Sequence, residues 1–402
     1  MNILLITQYY NPVKGAAAKR TGKMARFLSE EGHNVTVLTG FPSYPTGVLA
    51  EKYHGKLWMT ESENNIQIKR VYELPSGTSD SSKKRLINML TFSASAAFWA
   101  LFNKPFDAVI VSSPTFLTGI AGLWASRNKK TKFFFDIRDL WPDSAIQLGL
   151  LKNDGFMAKQ MEKLEKKFYN RATKIFTATP GIKDHLISEN ISSNKIEVLL
   201  NSVDTEKFKP TTIERGKFGF SKDDFICGYI GNHSRVYGLE TVLAAAEKLK
   251  GNPKIHFVLL GEGEEKAKLK LAAKNKNLTN VHFIDEKPLS EIPEWTNLFD
   301  IGLVPLADYG VTQESFPSKT CEYMACNKGI VASIGGDMAK IIETHEVGFL
   351  YPPGDSEALS QIILDLTKNT LKTQRIGQNA RKLALDMFSD KKFANTLLKT
   401  LD

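Results

Sequence analysis

Between Glu314 and Glu322 the chain reads Glu-Ser-Phe-Pro-Ser-Lys-Thr-Cys-Glu, two carboxylates eight positions apart with a proline, a serine and a lysine between them. The Phe-Pro-Ser-Lys centre predicts a loop turning into a helix, because proline loses nothing at a helix start, where its missing N–H has no partner anyway. With Ser318 near that start, unpaired amides and the positive end of the dipole favour an anion. Lys319 adds a mobile full charge. Glu322 then stands one turn into the helix and Glu314 on the loop before it, so phosphate grips and two carboxylates border one cleft. The plain alternative is a solvated helix face, where glutamate pairs are common, and the rest of the chain decides between the two.

The elements that must position these residues fit a chain of 402 residues, a length that favours two domains. A hydrophobic share of 42% and a charged share of 24% are those of a soluble globular protein. The net charge of +9, from 53 Lys+Arg against 44 Asp+Glu, suits nucleic acid, anionic lipid or a phosphorylated ligand. No basic arm or aromatic–basic ladder appears, so nucleic acid is set aside. Cys227, Cys321 and Cys326 offer neither a disulfide framework nor zinc spacing, and a reduced cytosolic compartment is the expectation. Met1–Thr7 is apolar but short and lacks a basic flank, so it reads as a first buried strand and not as a signal peptide.

In the first half, short apolar runs alternate with helical patterns. Strands are expected at 3–7, 35–38, 66–71, 107–111, 132–136, 174–177 and 196–199, with helices near 17–31, 83–102, 114–128, 155–171 and 181–190. Continuous apolar strands of this kind belong in a parallel sheet covered on both faces, with ligands beyond the carboxyl strand ends. Gly15 lies in one such βα loop, which is no GxGxxG fingerprint. Arg138 and Asp139 emerge at another strand end, where a surface salt bridge is the plain alternative. Lys83, Lys84 and Arg85 precede an apolar helical run that carries Phe98 and Trp99. The run falls short of a membrane span, and it suits either a helix lying at a membrane interface or one packed on the sheet.

Residues 201–224 read as a polar linker. The strand–loop–helix pattern then resumes, with Gly231, Asn232 and Arg235 after the strand at 225–230 and Gly261-Glu262-Gly263 after the one at 255–260. Glycine at a strand end lets a ligand approach the backbone, and the following helix start favours phosphate. Strands at 281–284, 300–304 and 329–332, Tyr351-Pro352-Pro353-Gly354-Asp355, and helices at 356–368, 372–387 and 390–401 complete a second αβ half. Two such halves facing by their strand ends would enclose a cleft.

The Glu-x7-Glu signature in its Phe-Pro-Ser-Lys…Glu-Tyr-Met-Ala setting, the Gly231-Asn232…Gly238-Leu239-Glu240 loop, Gly261-Glu262-Gly263 and the 351–355 closure together resemble a retaining family-4 glycosyltransferase. Arg138-Asp139-Leu140-Trp141-Pro142 adds a likeness to bacterial capsule and O-antigen transferases of N-acetylfucosamine-type amino-deoxy sugars. The resemblance covers essentially the whole chain. It implies the GT-B fold, an α/β architecture of two Rossmann-like domains: an acceptor-binding domain at 1–200, the linker 201–224, a nucleotide-sugar domain at 225–385, and a C-terminal helix at 386–402 able to pack back on the first domain. It implies donor binding by Gly15, Gly231, Asn232, Arg235, Gly261, Glu262, Ser318, Lys319 and Glu322, with Glu322 on the ribose hydroxyls. It also implies catalytic positions at Glu314, Arg138 and Asp139, and membrane or acceptor contact by Lys83, Lys84, Arg85, Phe98 and Trp99. The reaction implied is retaining transfer of an N-acetylated amino-deoxy hexose from a UDP-sugar to an undecaprenyl-diphosphate-linked saccharide, at the inner face of the cell membrane. No Asp-x-Asp metal grip occurs, so neither a metal nor a cofactor is expected. Two departures stand out: Asn232 and Tyr237 occupy places where many members carry phosphate-binding Arg and Lys, and Arg138 stands where many carry His. The rival readings are a nucleotide-sugar epimerase and a non-catalytic nucleotide-sugar-binding assembly subunit.

Overall fold

Runs such as Ile3-Leu4-Leu5-Ile6 and Phe133-Phe134-Phe135 are apolar on both strand faces and need cover from both sides, which helices over a parallel sheet provide. All seven of these side chains are buried, each phenylalanine contributing about 1.5–3 kcal/mol on burial. The computed structural model describes the chain apart from residues 14, 78–79, 114, 144–145, 147–150, 153–154, 310–314 and 402. It divides into two units, Met1–Leu200 with Ala394–Asp402, and Asn201–Phe393.

In the first unit β1 (Asn2–Ile6), β2 (Asn34–Gly40), β3 (Trp58–Glu63), β4 (Ile66–Val71), β5 (Ala108–Ser113), β6 (Lys132–Ile137), β7 (Lys174–Thr177) and β8 (Ile196–Val198) form one sheet in the order β3-β4-β2-β1-β5-β6-β7-β8. Its helices are α1 (Ala16–Glu30), α2 (Ser82–Leu101), α3 (Thr118–Ala125), α4 (Phe156–Arg171) and α5 (Pro180–Ser188). All pairings are parallel except β3 with β4. The sequence reading left out β3, a largely polar segment at the sheet's edge that shows no apolar run. α1 is pinned to β6 by a buried ion pair: Arg20 Nη2 lies 2.6 Å from Asp136 Oδ1, and Arg20 Nε and Ser112 Oγ donate to Asp136 Oδ2.

In the second unit β9 (Phe225–Ile230), β10 (Ile255–Leu260), β11 (Val281–Ile284), β12 (Ile301–Pro305), β13 (Gly329–Ser333) and β14 (Gly348–Leu350) form a parallel sheet in the order β11-β10-β9-β12-β13-β14. Its helices are α6 (Leu239–Lys248), α7 (Lys266–Asn275), α8 (Ile292–Leu298), α9 (Ser318–Ala325), α10 (Gly336–Thr344), α11 (Ser356–Lys368) and α12 (Thr370–Met387). α8 and α10, short helices between strands, were also absent from the sequence reading. The 201–224 segment is no loose tether: it groups with this unit, where Arg215 pairs with Asp300 at 2.7 Å and Val203 bridges to Ser389. The last helix, α13 (Asp390–Leu401), leaves the second unit, and Lys132 Nζ donates to Leu401 O at 2.7 Å in the first.

Candidate functional site

The strand order of the second sheet reverses direction between β9 and β12, and crevices beyond the carboxyl ends of strands at such a point receive ligands. The loop after β9 begins at Gly231, and the chain after β12 runs into α9. Pro317 is extended, with φ −65° and ψ 126°, and α9 begins with Ser318 as the sequence predicts. Pro317 offers no side-chain cap there, and Thr320 N donates to Pro317 O at 3.1 Å; the dipole's positive end at this start favours an anion.

Lys319, the second residue of α9, is buried, with its Nζ 3.9 Å from the centre of the Tyr229 ring and 4.0 Å from that of Tyr237. An ammonium between two π faces is held by their quadrupoles. The walls are themselves fixed. Tyr229 Oη donates to Asn232 O at 2.6 Å, and Ile230 N donates to Tyr323 Oη at 2.8 Å. Gly231 is what admits the lysine, since a Cβ there would stand 2.6 Å from Nζ and its φ of 150° disfavours other residues. Gly261 makes room in turn, since its Cβ would lie 2.0 Å from Gly231 O. A full cation thus stands at a strand end beside a helix N-terminus, an arrangement able to neutralise a departing diphosphate.

Glu322 lies on the same helix, half-buried. Glu314 falls outside the described residues. Two expected donor residues are already engaged. Arg235 is exposed, and its Nε pairs with Glu265 Oε1 at 3.0 Å, beside a recess of about 510 Å³ bordered by Gly238, Lys268 and Tyr309. Glu262 Oε1 lies 2.6 Å from Nζ of the buried Lys266, which also holds Asp285 at 2.6 Å. His233, which the sequence reading passed over, is fully buried near Tyr229 and Phe283, and neither ring nitrogen has a hydrogen-bond partner among the described residues. Burial and then the Lys266 charge press its pKa down to about 4. A single histidine in a polar loop carries no periodicity that would reveal this.

In the first unit Arg138 and Asp139 follow β6 directly. Arg138 Nε is buried with no hydrogen-bond partner among the described residues, and burial, then Arg20, lowers its pKa, while Asp139 is exposed. Gly15 precedes α1 at φ 140°, with open space where a Cβ would stand. On α2, Lys83, Arg85 and Phe98 are exposed, whereas Lys84 pairs with Asp80 at 2.9 Å. Trp99 is half-buried and stacks on Phe106, so it faces the protein and not the surroundings.

Two α/β units of mostly parallel strands with strand-end sites of this kind fit the GT-B fold of glycosyltransferases. The family descriptions agree: a glycosyl transferase 4-like domain matches residues 15–202 and glycosyl transferases group 1 matches residues 210–383. The chain belongs to this glycosyltransferase family. It is 24% identical over 371 residues to the putative colanic acid biosynthesis glycosyl transferase WcaI of Escherichia coli, covering 89% of this chain and 90% of that one. Among solved structures it resembles sucrose-phosphate synthase from Thermosynechococcus elongatus, with TM-score 0.77, 17% identity and 99% and 97% of the two chains covered. It also resembles Anabaena Alr3699/HepE in complex with UDP-glucose, with TM-score 0.70, 18% identity and 100% and 99% covered.

Proposed function

We propose that this glycosyltransferase moves an N-acetylated amino-deoxy hexose from a UDP-sugar to an undecaprenyl-diphosphate-linked saccharide in capsule or O-antigen synthesis, with retention at the anomeric carbon. The observation that carries the reading is the caged Lys319 at the start of α9, a preorganised cation where a diphosphate's charge would grow as the glycosidic bond breaks. The role in the Escherichia coli relative's name and the UDP-glucose held by the Anabaena protein support the polysaccharide setting and the donor class.

Ser318 and Lys319 take the diphosphate, Gly231, Asn232 and Gly261 shape its backbone cradle, and Glu322 takes the ribose hydroxyls. Arg235 joins only by leaving Glu265, and Glu262 acts by holding Lys266 in place. Gly15 lets its loop approach the donor phosphate, and Glu314, with Arg138 and Asp139, serves the sugar. The leaving diphosphate helps deprotonate the acceptor, and with lysine as the counter-charge no metal is required. Among the described residues no helix is long and apolar enough to cross a membrane. Contact with the inner membrane face falls to the exposed side of α2.

Thermal-shift screening of UDP-amino-deoxy sugars tests the donor, since a ligand that binds only the native state raises its melting temperature. UDP release in chelator, with and without acceptor, tests the rest. Activity that returns only with added Mn²⁺ would overturn metal independence, and donor turnover without acceptor would favour an epimerase. Glu314→Ala is expected to bind UDP and lose transfer.

A further inference from the structure

Two residues beyond the end of β4, Glu73 buries its carboxyl completely among polar side chains from four elements. Gln8, after β1, donates from Nε2 to Glu73 Oε2 at 2.9 Å and to Asn88 Oδ1 of α2 at 2.7 Å. Thr115, after β5, donates to Gln8 Oε1. Asn88 Nδ2 in turn donates to Leu74 O at 2.7 Å. Space for the acid is reserved at Gly40, where a Cβ would stand 2.4 Å from Glu73 Oε2. Gln8 is also gripped through its main chain, its O accepting from Thr39 Oγ at 3.0 Å. This residue is therefore the anchored start of the β1–α1 loop that ends at Gly15.

No family motif in the chain contains Glu73, and the proposed transfer gives it no role. Among the described residues no cation forms an ion pair with this buried carboxyl, which favours the neutral acid. The cation that acts on it, Arg70 of β4, is committed elsewhere, donating to Glu61, to Gly40 O at 3.1 Å and to Asn11 O at 2.6 Å. The other ionisable group that Glu73 acts on is Tyr9 of the same loop, whose phenol also feels Tyr44 after β2 and Arg85 of α2. Burial pushes the Tyr9 phenol well up, so it stays neutral. Burial likewise pushes Glu73 up to about 8, against the lowering bonds from Gln8 and Asn88.

We propose that Glu73 is a positioning residue: as a buried neutral acid it locks the Gln8 amide, and so the β1–α1 loop, and its ionisation unlocks that loop. The inference rests on the reading that this loop serves the donor. A protonated carboxyl can accept from Gln8 and also donate a bond, whereas a carboxylate only accepts. A carboxylate enclosed here would also carry an uncompensated charge, which opens such a site to water.

Hydrogen–deuterium exchange of the full chain tests the lock without any substrate. Residues 8–13 of the wild type are expected to exchange about tenfold faster at high pH than near neutrality, after correction for base catalysis, as local opening is gained. Glu73→Gln, neutral at every pH, should remove that difference, while Gln8→Ala should show fast exchange at both. A carboxylic C=O infrared band lost in Glu73→Gln and titrating with the exchange would assign the proton. Equal pH responses in wild type and Glu73→Gln, or no such band, would overturn the proposal. The coupling to transfer is read separately: alkaline loss of kcat in the wild type but not in Glu73→Gln, with UDP affinity equal in both. Flat exchange data sink the lock, whereas absent turnover in every variant sinks the donor and acceptor reading.

Discussion

The Nζ of Lys319 stands 4.0 Å from the centre of the Tyr237 ring, so the helix after β12 and the loop after β9 meet in a cation–π contact. The charge comes from the helix after β12, and the tyrosine of the loop after β9 is the wall that aims it. A charge-assisted contact is worth about 1.5–3 kcal/mol, so Lys319→Ala should weaken UDP binding by roughly 10- to 100-fold in calorimetry. Tyr237→Phe keeps the ring face and should bind as the wild type does. Tyr237→Ala loses one wall of the cage and should cost about 0.5–2 kcal/mol. Unchanged affinity in Lys319→Ala would remove the lysine from the donor site.

The buried pair of Arg20 and Asp136 ties α1 to β6, and its removal is a matter of stability. Breaking one side strands the other charge in the core, which costs about 3–5 kcal/mol. Arg20→Met and Asp136→Leu should each lower the unfolding free energy in urea by that order. The double variant should recover much of the loss, because no charge is left unpaired. Additive losses would show that packing and not charge holds α1.

Most of the strands and the start of α9 are legible in the sequence, because a buried parallel strand writes itself as an unbroken apolar run and Pro317 marks the helix start. β3 writes nothing of the kind, since an edge strand with polar faces resembles a loop. The site is half legible. Lys319, Gly231 and Gly261 come together, with Ser318 beside the lysine at the start of α9. What encloses them, the rings of Tyr229 and Tyr237, is set by tertiary packing, which no local spacing encodes. Arg20 with Asp136 and Gln8 with Glu73 are pairs 116 and 65 positions apart, and neither residue of either pair has a local pattern to announce it.

Two groups lose their contribution to stability in acid, against the opposite contribution of Glu73, whose pKa of about 8 adds stability as pH falls from there towards 4.5. His233 has a folded pKa of about 4 against an ordinary 6.5, so the unfolded chain takes up a proton first and stability falls as pH drops from 6.5 towards 4. Glu61, held by Arg70 and Lys52 against the opposing effect of burial, is lowered from 4.5 to about 2, so its contribution is present above 4.5 and lost towards 2. Urea unfolding across this range should show His233→Phe flattening the upper window and Glu61→Gln the lower. His233→Phe should also be the more stable protein at neutral pH, because each buried unpaired nitrogen it removes costs about 1–3 kcal/mol. A melting temperature below the wild type's at neutral pH would mean that the ring nitrogens have partners after all.

The exposed side of α2 makes the membrane reading specific. Leu86, Ile87, Leu90, Phe98 and Leu101 are all exposed, and their spacing keeps them on one helical face, which Phe102, exposed directly after the end of α2, extends. Phe98 and Phe102 are its most exposed members, at 65% and 75%, with ring centres 5.0 Å apart. Lys83 and Arg85 stand exposed at the amino end of the same helix, where anionic headgroups would meet them. Leu86→Glu with Phe98→Glu should therefore abolish flotation with vesicles containing anionic lipid and leave UDP affinity intact. Trp99→Ala should float like the wild type, because its ring is turned onto Phe106. Lys83→Ala with Arg85→Ala should weaken flotation at low salt, and the deficit should shrink as salt is raised, since screening removes the headgroup attraction from both proteins. Full flotation of the double glutamate variant would assign the apolar face to something other than lipid.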